Sequence, residues 1–182
     1  MANVLTAIRF LLVAPFVLFM YRGDARSAIF ALAIWVVALI TDLLDGPIAR
    51  RQGAVTSLSG AFDHTSDFLL VTSGMFAGAF RGAFPWILPT LITAAFLQYV
   101  VDSYWIHRER KLRGSKLGRY NGMLYFVPPC VDILSRLGAR LLQPVLIVLS
   151  WALVVSTLFS MYHRLRAGID SSKNLTGSPA EK

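Results

Sequence analysis

Runs of apolar residues long enough to cross a bilayer constrain this chain more than any other feature. A membrane-spanning helix needs about 17–25 mainly apolar residues. Six segments approach or reach that length: residues 4–21, 28–44, 59–80, 86–106, 119–133 and 141–162. The fifth is short and is interrupted by Pro128-Pro129. The chain is 55% hydrophobic and only 15% charged, where a soluble domain carries about 25% charge. These features predict an all-α integral membrane protein, a six-transmembrane-helix bundle, rather than a soluble domain with a large core. One membrane domain over residues 1–165 accounts for all six segments, and the Ser-, Lys-, Gly- and Pro-rich tail 166–182 is expected to be disordered. No basic run precedes the first apolar segment and no small-residue cleavage site follows it, so it is read as a retained helix rather than a signal peptide.

Basic residues orient such a bundle, because they are retained on the cytoplasmic side. With the N-terminus inside, thirteen of the 18 Lys and Arg residues fall on cytoplasmic segments, Arg9 among them. The other five, Arg22, Arg26, Arg81, Arg136 and Arg140, fall outside. Both termini are therefore expected in the cytoplasm. Trp86, Tyr104, Trp105 and Tyr162 are expected at the interfaces, with His107 and His163 as interfacial polar residues. Short connections at 23–27 and 81–85 make consecutive helices antiparallel, and chemistry is expected on the cytoplasmic face, where the loops are longer. The formal net charge of +8 is read as topology and contact with anionic headgroups. No basic face with interleaved aromatics stands apart from the apolar segments, so nucleic acid is not expected as a partner. The single cysteine, Cys130, excludes an intrachain disulfide and lies in an apolar stretch as an inert thiol.

Four of the ten acidic residues lie between positions 42 and 67. Asp42 and Asp45 are three apart and Asp63 and Asp67 four apart, so each pair lies on one face of its helix. The connection between the second and third helices makes them antiparallel neighbours, so the four carboxylates can converge at about one membrane depth. Carboxylates so placed repel one another, and burial increases the cost. Arg50 and Arg51 supply part of the counter-charge; a hard divalent cation with oxygen ligands supplies the rest, and two such ions can clamp a diphosphate. Intramembrane carboxylates are costly and usually functional. A proton relay also uses them, but here they gather at one face instead of forming a chain across the bilayer. Gly46, Ala49, Gly53 and Gly60 allow close backbone approach of a helix or a ligand. Asp102 and Asp132 stand as isolated acids, with Asp102 near the basic loop 106–120.

The acidic segment resembles the signature of the CDP-alcohol phosphatidyltransferase family, Asp-x2-Asp-Gly-x2-Ala-Arg-x8-Gly-x3-Asp-x3-Asp. Asp42, Asp45, Gly46, Ala49, Arg50, Asp63 and Asp67 match seven of its eight positions over 26 residues. Ser59 replaces the remaining glycine, with Gly60 next to it. His64 stands where proline is common and Phe68 where lysine is common. Upstream, Asn3-Val4-Leu5-Thr6-Ala7-Ile8-Arg9 resembles the family's Asn-x-Leu-Thr-x-x-Arg. The resemblance implies that an acceptor hydroxyl attacks the β-phosphorus of a CDP-linked lipid and CMP leaves. It implies that Asp42 and Asp63 bridge two Mg²⁺ or Mn²⁺ ions, that Asp45 completes one site, and that Asp67 binds the other ion and serves as general base. Asn3, Thr6, Gly46, Ala49, Arg50 and Thr56 would contact CDP-diacylglycerol. It also implies a place in a bacterial inner membrane with the site facing the cytoplasm, and is compatible with a homodimer.

The acceptor is read from the basic loop. Arg108, Arg110, Lys116 and Arg119 are candidates for binding an acceptor phosphate, as in glycerol 3-phosphate or an inositol phosphate. Ser115-Lys116-Leu117-Gly118-Arg119 is similar to the Lys-Gly-Lys region of phosphatidylglycerophosphate synthases, with Arg119 in place of a lysine, and favours glycerol 3-phosphate. Orientation and headgroup contact would also account for these cations. Two other classes stay open: a transporter or proton relay, and an inactive membrane scaffold that keeps the motif but carries Ser59 and Phe68.

Overall fold

A computed structural model describes the backbone of residues 2–51, 57–101 and 116–176, and the side chains of residues 6–44, 62, 64–101, 118, 120–166. Seven α-helices and no strand are found among the described residues: α1 (Ala2–Tyr21), α2 (Ala25–Arg51), α3 (Ser57–Phe80), α4 (Ile87–Val101), α5 (Lys116–Leu124), α6 (Val127–Arg136) and α7 (Leu142–Thr176). Ala25–Leu44 and Leu142–Arg166 are long and apolar enough to cross a membrane, and Thr6–Tyr21 and Ile87–Val101 are shorter apolar helices. Their outer faces carry exposed large apolar side chains, among them Leu11, Ile29, Val148, Val155 and Phe159. An apolar exterior of this extent suits lipid rather than water.

The apolar runs locate the helices, with three differences. The short fifth run is two helices, because the chain turns at Tyr125-Phe126 and α6 restarts with Pro128 and Pro129 in its first turn, where proline's missing N–H costs nothing. The second run does not stop at Leu44: α2 continues as helix through the acidic segment to Arg51. The seventh helix runs to Thr176, past the expected boundary at 166. Extending an existing helix fixes one residue per added hydrogen bond, without the cost of a new nucleus, so the polar sequence after Arg166 can follow the apolar one.

The helix expected to sit beside α3 is α2, but among the described residues α1 is the principal packing partner of both. Phe16 of α1 stacks on Trp35 of α2 at a centroid distance of 5.4 Å, and Trp35 in turn meets Phe126 at 5.4 Å. On the other side of α1, Gly74 of α3 lies against the Phe16 ring, which a Cβ at position 74 would strike. Polar pairs join α5 to α7: Tyr125 Oη and Thr157 Oγ1 are 2.8 Å apart, and Ser156 Oγ donates to Asn121 Oδ1 at 2.7 Å. Such bonds hold helices together where lipid offers no hydrophobic drive.

Asp132 is not isolated. It is buried and accepts from Arg81 Nη2 at 2.6 Å, with Arg136 Nη1 3.8 Å away. Arg81 Nε donates to Met20 O, and Arg136 Nη2 to Phe19 O and Asp24 O. The free carbonyls at the end of α1 are thereby held by α3 and α6, satisfying groups that a helix end leaves open. These two arginines, read from sequence as orienting charges, form part of a clamp. Asp24 closes the same end: it accepts from the Ser27 N–H at 3.0 Å and from the Ser27 hydroxyl, which hold its carboxyl below the ordinary carboxylate range. That is a helix N-cap at the start of α2.

Gly74→Ala tests the α1–α3 contact. Overpacking costs about 1–3 kcal/mol, while alanine's helix preference returns up to about 1 kcal/mol. The expected net result is a lower Tm in detergent, partly restored by Phe16→Leu in the same chain. An unchanged or higher Tm for Gly74→Ala would contradict the close approach.

Candidate functional site

Arg9 organises the site. It lies on α1 with no exposed surface, and its Nη1 is 2.5 Å from Asp67 Oδ1 of α3 and 3.6 Å from Asp42 Oδ1 of α2. The same nitrogen is 3.4 Å from Ser66 Oγ. Thr6, one turn earlier on α1, is also buried, and residues three apart share a helix face. The motif that suggested nucleotide contact at Thr6 therefore presents Arg9 inward. As a basic residue near the N-terminus, Arg9 had been counted among the orienting charges; the structure makes it an internal one.

Asp42 and Asp67 reach one point from different helices. Each Oδ1 approaches the same guanidinium nitrogen, so the two oxygens are at most about 6 Å apart. The convergence expected of the carboxylates holds for this pair, and both meet Arg9 of α1. Asp45 and Asp63 lie one turn away on α2 and α3; their side chains are outside the described residues. No group of three or more metal-ligating side chains is found among the described residues, which include only Asp42 and Asp67 of the four aspartates. Those two supply hard oxygen donors from two directions, a set that suits Mg²⁺ or Mn²⁺.

The other sequence-derived positions divide in the same way. Asn3, Gly46, Ala49, Arg50 and Ser59 lie on helical backbone, and so do Lys116 and Arg119, but the side chains of all seven are outside the described residues. Thr56, Asp102, Arg108 and Arg110 lie outside the described residues altogether. His64 is exposed and Phe68 half-buried, with the Phe68 ring stacked on Phe96 of α4 at 4.0 Å.

A cavity of about 580 Å³ opens beside the carboxylates, lined by Asp42, His64, Asp67 and Phe68 at one part and by residues of α4, α5 and α7 elsewhere. Three of its lining residues have a buried polar atom with no hydrogen-bond partner among the described residues: Thr72 Oγ1, Gln98 Oε1 and Arg164 Nε. The Arg164 guanidinium lies over the Tyr99 ring at 4.9 Å. Buried polar groups are normally satisfied, so these three stand out among the cavity's lining residues, and Arg164 brings a guanidinium, a donor suited to an anion, to that lining. Sequence reading missed Gln98 and Arg164 because each stands alone in or after an apolar run. Only a cationic residue directly following a long apolar run signalled Arg164.

Carboxylates and a guanidinium thus gather beside a large cavity in an all-helical protein, two of whose helices are long and apolar enough to cross a membrane. Residues 1–161 match the family model described as CDP-alcohol phosphatidyltransferase, and the chain belongs to that family. It is 33% identical over 95 residues to a probable phosphatidylglycerophosphate synthase of Mycobacterium tuberculosis, an alignment covering 50% of this chain and 46% of that protein. It is 36% identical over 69 residues to a CDP-diacylglycerol–glycerol-3-phosphate 3-phosphatidyltransferase of Rickettsia typhi, covering 38% of this chain and 39% of that protein. The chain thus spans less than half the length of these curated relatives.

Gly122 tests the cavity. It lines the space, and a Cβ there would meet nothing within 4 Å. Gly122→Phe should keep a Tm within a few degrees of wild type, since a substitution that breaks no contact changes stability by about 0.5 kcal/mol or less. A ligand that uses the cavity should then no longer raise the Tm. A large fall in Tm without ligand would contradict the open space.

Proposed function

We propose that this protein transfers a phosphatidyl group from CDP-diacylglycerol to glycerol 3-phosphate, releasing CMP, with Mg²⁺ or Mn²⁺. The observation that carries the reading is the meeting of Asp42 and Asp67, from separate helices, beside a cavity that also holds Arg164. Family membership supports the reaction class, and the names of the relatives support the acceptor. We further propose six membrane spans, with α5 and α6 together forming one, and both termini on the cytoplasmic side of a bacterial inner membrane. On this reading residues 1–165 are the membrane domain.

In the proposed reaction Asp67 takes the proton of the acceptor hydroxyl. A new bond forms between that oxygen and the β-phosphorus, and the bond to the departing CMP oxygen breaks. Asp42, Asp45, Asp63 and Asp67 would hold divalent cations, two on this reading, which when bound would polarise the diphosphate and neutralise charge on the leaving group. The work of Asp67 as a base depends on its direct contact with the acceptor hydroxyl. Arg50 forks onto a phosphate of the CDP moiety, a task its planar guanidinium suits. Asn3, Thr6, Gly46, Ala49 and Thr56 complete the CDP-lipid site. The acceptor enters the cavity, with its phosphate on Arg164 and with Arg108, Arg110, Lys116 and Arg119 drawing it in from the loop side. An inositol phosphate would use the same cations, which is the second reading.

Purified protein in detergent or vesicles, given CDP-diacylglycerol, Mn²⁺ and a panel of acceptors, should release CMP with glycerol 3-phosphate. Asp67→Asn should lower that turnover by roughly 10²–10⁴-fold, the usual worth of a general base, while sparing CDP-lipid binding. Release of CMP only with an inositol phosphate would replace the acceptor, and release with none would sink the reading. Arg164→Gln should raise the KM for glycerol 3-phosphate about 10-fold or more, since a hydrogen bond to a charged group is worth about 1.5–3 kcal/mol. The KM for CDP-diacylglycerol should not move. An unchanged acceptor KM would remove Arg164 from the acceptor site.

A further inference from the structure

We propose that Arg9 is the positioning residue of the carboxylate site, a built-in counter-cation that holds Asp67 beside Asp42 and competes with divalent metal for Asp67 Oδ1. The inference rests on the metal reading above and concerns what the site does before metal arrives.

A guanidinium is charged at any physiological pH, and Arg9 has no exposed surface. A buried charge must be paired, and among the described residues its nearest carboxylate oxygens are those of Asp67 at 2.5 Å and Asp42 at 3.6 Å. Ser66, which the same nitrogen also approaches at 3.4 Å, is neutral. Arg9 is thus a cation standing where two oxygens expected to bind metal converge. It also comes from the helix that packs on both of the others, so pairing with it fixes α2 and α3 relative to each other. Without a cation there, the two carboxylates would repel, or one would take up a proton.

Loading a divalent ion changes this balance. Oxygen–metal distances are about 2.0–2.1 Å for Mg²⁺. An ion on Asp67 Oδ1 would therefore stand no more than about 5 Å from Arg9 Nη1 in its present place, given the 2.5 Å contact of that nitrogen with the same oxygen. Like charges that close, with little water between them, repel strongly. Arg9 and the ion consequently exchange at Asp67: the guanidinium keeps the carboxylates together when metal is absent and gives up Asp67 when metal is held. The exchange sets the metal affinity below what the carboxylates alone would give.

Arg9→Gln and Arg9→Lys, compared with the full-length wild type in one detergent, test this by Mn²⁺ titration with electron paramagnetic resonance and by Tm in EDTA and in saturating Mn²⁺. Arg9→Gln should bind Mn²⁺ about 10-fold more tightly. Its Tm should fall in EDTA and recover most of the difference in Mn²⁺. Arg9→Lys keeps the charge and should bind Mn²⁺ within about threefold of wild type. Equal or weaker Mn²⁺ binding by Arg9→Gln, or an equal loss of Tm with and without Mn²⁺, would make Arg9 a plain structural contact and overturn the proposal. So would failure of Arg9→Gln to fold even when expressed and purified in Mn²⁺ while Arg9→Lys folds, because the ion should replace the guanidinium. A wild type that binds no Mn²⁺ would overturn the metal reading itself; a wild type that binds it with no difference in Arg9→Gln overturns only this inference.

Discussion

Within apolar helices a charge survives only with a partner, and the pairing of Arg9 with Asp67 and Asp42 draws the site together. Each of the three residues sits on a different helix, so satisfying the guanidinium fixes α1, α2 and α3 at the same end of the bundle. The Phe16–Trp35 stack and the approach of Gly74 to Phe16 hold the same helices side by side. Farther along α1, Arg81, Asp132 and Arg136 do the same at the opposite end. Ala25 and Asp42 are seventeen residues apart on α2, about 25 Å along a helix, so the two charged clusters grip the bundle at both ends.

This arrangement divides labour between the ends. In the Asp132 cluster the arginines donate to helix-end carbonyls and to one carboxylate. The Asp42–Asp67 cluster, with Arg9, opens onto a cavity of about 580 Å³. A polar network packed against helix ends holds the fold, whereas one beside an open space has room to take up a ligand. Thr72, Gln98 and Arg164 add to that end a hydroxyl, an amide oxygen and a guanidinium with buried atoms left unbonded by the described residues.

Features set by local sequence were readable in advance. Length and apolarity located the helices, and Pro128-Pro129 marked the break between α5 and α6. The motif led to the family that the match over residues 1–161 establishes. Pairings between distant residues were not readable. Arg9 and Asp67 are 58 positions apart and Arg81 and Asp132 51; nothing local distinguishes such residues from charges at a membrane surface. The packing of α1 on both α2 and α3 escaped for the same reason, since chain order favours consecutive helices as the main neighbours and only side-chain packing decides otherwise. Helix ends escaped too: α2 and α7 continue into polar sequence because extension costs little once a helix exists.

If Asp42 and Asp67 converge on one cation site, crystals of the protein grown with Mn²⁺ and measured at the manganese absorption edge should show it. An anomalous peak is expected within coordination distance of both carboxylates, beside the cavity that reaches Arg164. A manganese peak bound by neither aspartate, or Asp42 and Asp67 turned toward separate surroundings with Mn²⁺ bound elsewhere, would contradict it.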